Sequence, residues 1–317
     1  MNPTITPADS RHHASRKTSG LFAKPVLTAA RHMACAILIA AAPCAVAADA
    51  NLLENGNAAD GLTGWQGFRE VAPDPDGGEG NCFVLKAGTS AVSEQFIPVD
   101  PAKAYTLSGK FRTQDDGEAR LYFGVDCYDA DKVQITGGEV NVIQGTETTL
   151  AADAAVGDTV LKVTDASQWK ADGEGALLGR VAFNVDDSGA LKDLPNRNLS
   201  KTGIPVVHQA ANGWNVELTE PLEKAYPKGT KIRQHRNRMA FCYIQGAMNF
   251  KLTPAWVEKT MVLTGDSATG MSAAGDQFWP GTRFIHVAVV SDFPKAAREQ
   301  GTERGPTLVR DLSFSRQ

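Results

Sequence analysis

Beyond residue 50, apolar residues recur at every second position in segment after segment, and clusters of Gly, Pro, Asp and Asn separate the segments. Period two rather than 3.6 predicts strands. In residues 105–112 it sets Tyr105, Leu107 and Phe111 on one face against Thr106, Ser108, Lys110 and Arg112 on the other. Residues 120–128 send Leu121, Phe123, Val125 and Cys127 inward and Arg120, Tyr122, Asp126 and Tyr128 outward. Near the C-terminus, Ile285, Val287 and Val289 alternate with Phe284, His286 and Ala288, and residues 308–314 predict a closing strand. Between these, residues 148–152, 156–163, 214–218 and 229–233 predict further strands. The expected fold class is all-β, an antiparallel sandwich rather than a parallel α/β sheet.

The first 47 residues break the pattern. They hold Arg11, Arg16, Lys17, Lys24 and Arg31 against Asp9 alone, then an apolar run over residues 33–42, then Ala45-Val46-Ala47. A basic leader, a short apolar stretch and a small-residue cleavage site predict a signal peptide over residues 1–47, and therefore a secreted or periplasmic product. The apolar run is too short to span a bilayer. Removing the leader turns the formal net charge of -4 into 27 bases against 35 acids, or -8. That balance argues against a nucleic-acid binder, which needs a concentrated positive face. It also leaves Cys82, Cys127 and Cys242, an odd set without a C-x-x-C pair, read as buried thiols rather than a metal site.

Several segments in order carry a resemblance: Asn51-Leu52-Leu53-Glu54-Asn55-Gly56, Gly61-Leu62-Thr63-Gly64-Trp65, Gln95-Phe96-Ile97-Pro98-Val99-Asp100-Pro101, Tyr105-Thr106-Leu107-Ser108-Gly109 and Tyr128-Asp129-Ala130-Asp131. Together they resemble the galactose-binding-domain-like jelly rolls, above all xylanase-type carbohydrate-binding modules. The resemblance resumes at Leu252-Thr253-Pro254-Ala255-Trp256 after roughly a hundred residues, so it implies a discontinuous jelly roll over residues 50–135 and 241–317 with an inserted β-rich domain over residues 136–240. It covers a little over half of the chain that follows the leader. Segments of the insert resemble small β units of surface and phage-tail-like proteins, which assign no chemistry.

The resemblance implies sugar recognition, by rings against the apolar faces of pyranoses and planar polar groups against hydroxyls. Arg120, Tyr122, Asp126, Tyr128 and His286 on adjacent strands suit it, with Arg112 beside them; the same positions are also what an ordinary solvated sheet face carries. Trp279, in the Gln277–Gly281 loop, reads as a stacking platform or as a plug folded into one end of the sandwich, whereas Trp65 and Trp256 read as core. The family's structural calcium, between the N-terminal loop and the last strand, would fall here to Asp60 and Asp311, although Ala59 stands at the usual acidic position and Arg310 beside Asp311. The turns at Asp74, Asp129 and Asp186 read as plain turn chemistry. Lys228 to Arg238, rich in base, reads as an exposed strand edge.

The leading expectation is a secreted, non-catalytic protein that binds a polysaccharide, with no cofactor beyond the calcium that the resemblance suggests. The alternatives are a polysaccharide lyase or hydrolase using Tyr122, His286 and Arg120, and a structural or adhesive surface protein that meets a protein partner through the insert. No zinc H-E-x-x-H, phosphate-binding Gly loop or nucleophile elbow is present; Gly265-Asp266-Ser267-Ala268-Thr269-Gly270 has one residue too many for the last.

Overall fold

The alternation over residues 105–112 is realised in a strand whose odd-numbered side chains are all buried and whose even-numbered ones are half-buried. The computed structural model describes residues 50–78, 80–114, 119–237, 242–243, 247, 249–267, 276–292 and 305–317. The expected signal peptide, with Cys35 and Cys44, lies outside the described residues. Those described belong to one compact unit, Ala48–Gln317.

In chain order the first strands are β1 (Trp65–Gln66), β2 (Glu70–Pro73), β3 (Asn81–Leu85), β4 (Ser90–Ser93), β5 (Ile97–Pro98), β6 (Tyr105–Thr113) and β7 (Arg120–Tyr128). A short helix, α1 (Gly137–Val140), precedes β8 (Thr148–Thr149) and β9 (Val160–Val163). Then come α2 (Glu174–Leu178), β10 (Gly179–Phe183), β11 (Val206–Ala210), β12 (Gly213–Glu217) and β13 (Lys231–Arg236). The chain closes with β14 (Cys242–Tyr243), β15 (Phe250–Lys251), β16 (Val257–Leu263), β17 (Phe284–Asp292) and β18 (Thr307–Arg316).

These strands form four antiparallel sheets. A seven-stranded sheet runs β1-β4-β17-β7-β14, with β5 also on β17 and β15 also on β7; a five-stranded sheet runs β16-β6-β18-β3-β2. The inward faces of these two bury one core that includes Phe83, Leu107, Phe111, Phe123, Val125, Ile285, Val287 and Phe314. Phe111 of one sheet meets Phe123 of the other edge to face at 4.9 Å, so the two sheets make a sandwich. Trp65 is in this core, as expected. The protein is thus an all-β sandwich. Two three-stranded sheets, β10-β13-β8 and β11-β12-β9, are built wholly from residues 148–236 and share a separate core around Leu161, Val181, Phe183, Val216 and Ile232.

One expectation fails in this second part. β13 is not an edge: it lies between β10 and β8, with Ile232 to His235 buried. Arg233 is fully buried, donating from Nη2 to Asp193 Oδ2 at 2.6 Å and from Nε to His235 Nε2 at 2.9 Å. Because His235 Nε2 accepts that bond, its proton sits on Nδ1, which lies 2.9 Å from the Gly138 carbonyl oxygen and donates to it. Paired in this way, charged residues fit a central strand that their composition assigned to the surface.

The Asp turns behave as expected. Asp129 Oδ1 accepts from the Asp131 and Val133 amides at 3.0 and 2.9 Å, and Asp186 accepts from Ser188 and Lys192 at 3.1 and 3.0 Å. Cys82 and Cys127 are buried, and burial pushes the Cys82 thiol up to about 11.

Candidate functional site

The outer face of the seven-stranded sheet gathers most of the expected site. β7 and β17 pair so that Tyr128 faces Phe284, Asp126 faces His286, Gly124 faces Ala288 and Tyr122 faces Val290. Gly124 and Ala288 carry almost no side chain, so this face is lowest midway along the two strands, between Tyr122 and Asp126. From Arg120 to Tyr128 it runs roughly 26 Å at ~3.3 Å per residue. Arg120 is exposed at one end, and Tyr122 and Tyr128 are half-buried.

At the other end, four rings converge. His286 lies 4.3 Å from Phe96 and 4.5 Å from Tyr128, and Phe96 lies 5.1 Å from Tyr128 and 6.2 Å from Phe284, mostly edge to face. The Lys132 ammonium lies 4.8 Å from the Phe96 centroid and 5.3 Å from that of Phe284. Its turn is held twice, by the Asp129 bonds already described and by Arg197, whose Nη2 donates to Asp129 Oδ2 at 2.8 Å.

His286, itself one of the four rings, and Asp126 opposite it on β7 are buried, 9% and 7% exposed. Asp126 Oδ1 and His286 Nε2 are both buried without a hydrogen-bond partner. Burial pushes the Asp126 carboxyl up to about 6 and the His286 imidazole below its ordinary value. Tyr128 is raised, first by burial and then by the charge of Asp126. The two unpartnered atoms are sealed from solvent, so the surface a sugar ring can meet is the half-buried rim of Phe96, Tyr128 and Phe284, whose apolar area suits a pyranose face.

Two expected members lie elsewhere. Arg112 is on β6, in the other sheet, where it pairs with Asp76 at 2.8 Å and lies 5.5 Å from the Trp256 ring. Adjacent strands in sequence had joined opposite faces of a sandwich. Trp279 is 1% exposed and belongs to the core. Its loop folds inward, and Gly281, at φ 82°, closes the turn where an added Cβ would come within 2.7 Å of Pro195. Trp256, expected in the core, instead lies half-buried on the outer face of the five-stranded sheet, with the Arg310 guanidinium 4.4 Å from its ring. The sequence reading missed Phe96, Phe284 and Lys132. Phe284 was legible as outward; Phe96 precedes a two-residue strand and Lys132 sits in a turn, so neither belongs to a long alternation.

The lyase or hydrolase trio is not gathered. His286 contacts Phe96 and Tyr128, while Tyr122 and Arg120 lie roughly 13 and 20 Å down the strand from the position opposite His286, at ~3.3 Å per residue. Among the described residues no three His, Cys, Asp or Glu side chains group as metal ligands.

The calcium position is built differently too. A cavity of about 530 Å³ between the N-terminal loop and β18 includes Asp311 but not Asp60, and Lys110 places its ammonium 2.9 Å from Asp311 Oδ2. Asn55 holds the loop instead: Nδ2 donates to the Gly61 and Thr63 carbonyls at 3.0 and 2.9 Å, and Oδ1 accepts from the Asp60 amide at 3.0 Å. Asn51 ties it to β18, accepting from the Phe314 amide at 2.9 Å. Of the two carboxylates on its wall, Asp311 and Glu258, the first already carries the Lys110 ammonium, which does not fit a calcium ion there. Millimolar calcium, or a chelator, is therefore expected to leave the thermal midpoint unchanged in a melting curve, since a ligand bound only by the folded state would raise it.

No protein-family model matches this chain, and no curated protein matches it. Among solved structures it is similar to one titled "Family 16 Carbohydrate Binding Module-2", at 11% identity over 83% of this chain and 99% of that one, with a TM-score of 0.31. No helix among the described residues is long and apolar enough to cross a membrane.

Proposed function

We propose that this protein is a secreted carbohydrate-binding protein that takes a polysaccharide on the outer face of the seven-stranded sheet, without catalysis of its own. The observation that carries the reading is the cluster of four rings, Phe96, Tyr128, Phe284 and His286, of which Phe96, Tyr128 and Phe284 stay half-exposed on the outer face of the sheet. The rings supply stacking area, and Arg120 and Tyr122 extend the contact along β7. We read residues 136–240 as a domain inserted into a jelly roll; its Arg197 steadies the turn that carries Lys132.

Affinity electrophoresis through gels containing neutral and acidic polysaccharides tests this. Tyr128→Ala and Phe96→Ala are expected to weaken retardation about tenfold, near 1.4 kcal/mol. Arg112→Ala, on the other sheet, is expected to migrate as the parent does. No retardation by any polysaccharide, or equal retardation of parent, Tyr128→Ala and Phe96→Ala, would sink the proposal; cleavage of the polysaccharide would replace it with the enzyme reading.

A further inference from the structure

A second cavity, of about 220 Å³, lies within the residues 148–236 sheets, away from the ring cluster, and its lining includes Arg180, Arg197, Lys201, Lys224, Glu223 and Tyr226. Four cations and one carboxylate share its walls in a chain whose overall charge is negative. The carboxylate is taken, since Glu223 pairs with Lys201 at 3.0 Å. Arg197 is also taken, by Asp129 at 2.8 Å and Glu139 at 3.9 Å from behind the cavity. Two cations are left over.

Lys224 is exposed and enters no hydrogen bond or ion pair among the described residues. Arg180 is half-buried, and its guanidinium makes one hydrogen bond, from Nε to the Ser200 carbonyl at 2.8 Å; Nη1 packs against Gly138 of α1 and Nη2 is left without a partner among the described residues. Burial pushes its pKa down, with the charge of Glu139 pushing back up. A partly desolvated guanidinium without a carboxylate in contact is costly to keep, and its planar fork is complementary to two oxygens of an oxyanion. The volume is below the ~300–1,000 Å³ of clefts that enclose drug-sized ligands, so the cavity suits one small charged group.

We propose that this cavity binds a tetrahedral oxyanion, sulfate or phosphate, free or esterified to a sugar, held by Arg180 and Lys224 with Lys201 and Arg197 beside them. The site is distinct from the ring cluster, although Arg197 on its wall also holds the turn that carries Lys132. Its affinity falls as salt rises, because the contacts are ionic and lie close to solvent.

Titrating the isotope-labelled full chain with sodium sulfate, and separately with sodium phosphate, against sodium chloride at equal ionic strength tests it by backbone amide shifts. Saturable shifts at Ser200, Lys201 and Lys224 are expected with the oxyanions and not with chloride. Arg180→Gln is expected to abolish saturation. Lys224→Ala, which removes an exposed and unpaired side chain, is expected to weaken binding severalfold with the fold intact, so the test survives a misfolded Arg180 variant. Galactose 6-sulfate, free sulfate and galactose distinguish the source: tighter binding of the sulfated sugar points to the ester, equal binding to the anion alone. Shifts that fail to saturate, that chloride reproduces, that plain galactose reproduces, or that persist in Lys224→Ala at parental affinity overturn the proposal.

Discussion

Trp279→Ala is expected to lower the stability of the protein by about 3–5 kcal/mol, the range for removing a buried aromatic side chain, while leaving the glycan affinity of the folded fraction unchanged. The indole is 1% exposed, next to the fully buried Phe278, and the loop that carries it is fastened from within: Thr282 donates from Oγ1 to the Trp279 carbonyl at 2.6 Å. Phe278 meets Tyr105 at 5.9 Å, edge to face, so the loop caps the main core. Replacing the indole opens a hole that neighbours on rigid strands fill only in part. A surface platform would behave in the opposite way, with no change in the urea midpoint and a loss of retardation. Urea unfolding and affinity electrophoresis on the one variant separate the two. A parental midpoint with lost binding would return Trp279 to the site.

The same residue shows where sequence reading stops. Alternation in residues 105–112 and 120–128 identified inward and outward side chains correctly, because period two fixes the face of a strand whatever its partners. It did not say which sheet each strand joins, and so Arg112 was grouped with Arg120 although β6 and β7 lie in opposite sheets. Trp279 lies in a loop, where no period operates and burial is set by what the loop folds against. β13 was assigned to an edge because Lys231, Arg233, His235 and Arg236 look solvated. Its burial depends on Asp193 and Gly138, forty and ninety-seven residues away from their partners on the strand. Asp311 was assigned to a metal for the same reason in reverse, since its cation is Lys110, 201 residues distant. Partners remote in sequence decided each of these cases.

Asp126→Asn is expected to make stability climb by on the order of 3 kcal/mol as pH rises from about 4 to about 6.5, a steeper climb than that of the parent protein. Two buried groups of opposite sign lie behind it. Burial lowers His235 from 6.5 to about 4, and its Nε2 is already committed as the acceptor of the Arg233 Nε–H bond. The unfolded chain therefore binds the extra proton in that window, so the contribution of neutral His235 is fully present above pH 6.5 and is lost as pH falls through about 4. Asp126 works the other way. Burial raises it from 3.8 to about 6, the folded state holds the proton longer, and its contribution is present below pH 3.8 and lost as pH rises through about 6. The windows overlap and the two shifts are of similar size, so in the parent Asp126 offsets the His235 slope, to which His286, also lowered by burial, adds in the same direction. Asparagine cannot ionise and fills nearly the same space, which removes the opposing arm and leaves the histidine slope. Urea midpoints measured across the window decide it: a parent profile that climbs as steeply as that of Asp126→Asn would mean that Asp126 ionises normally beneath the ring cluster. In that case its carboxylate is solvated and the floor of the ring cluster is open to water.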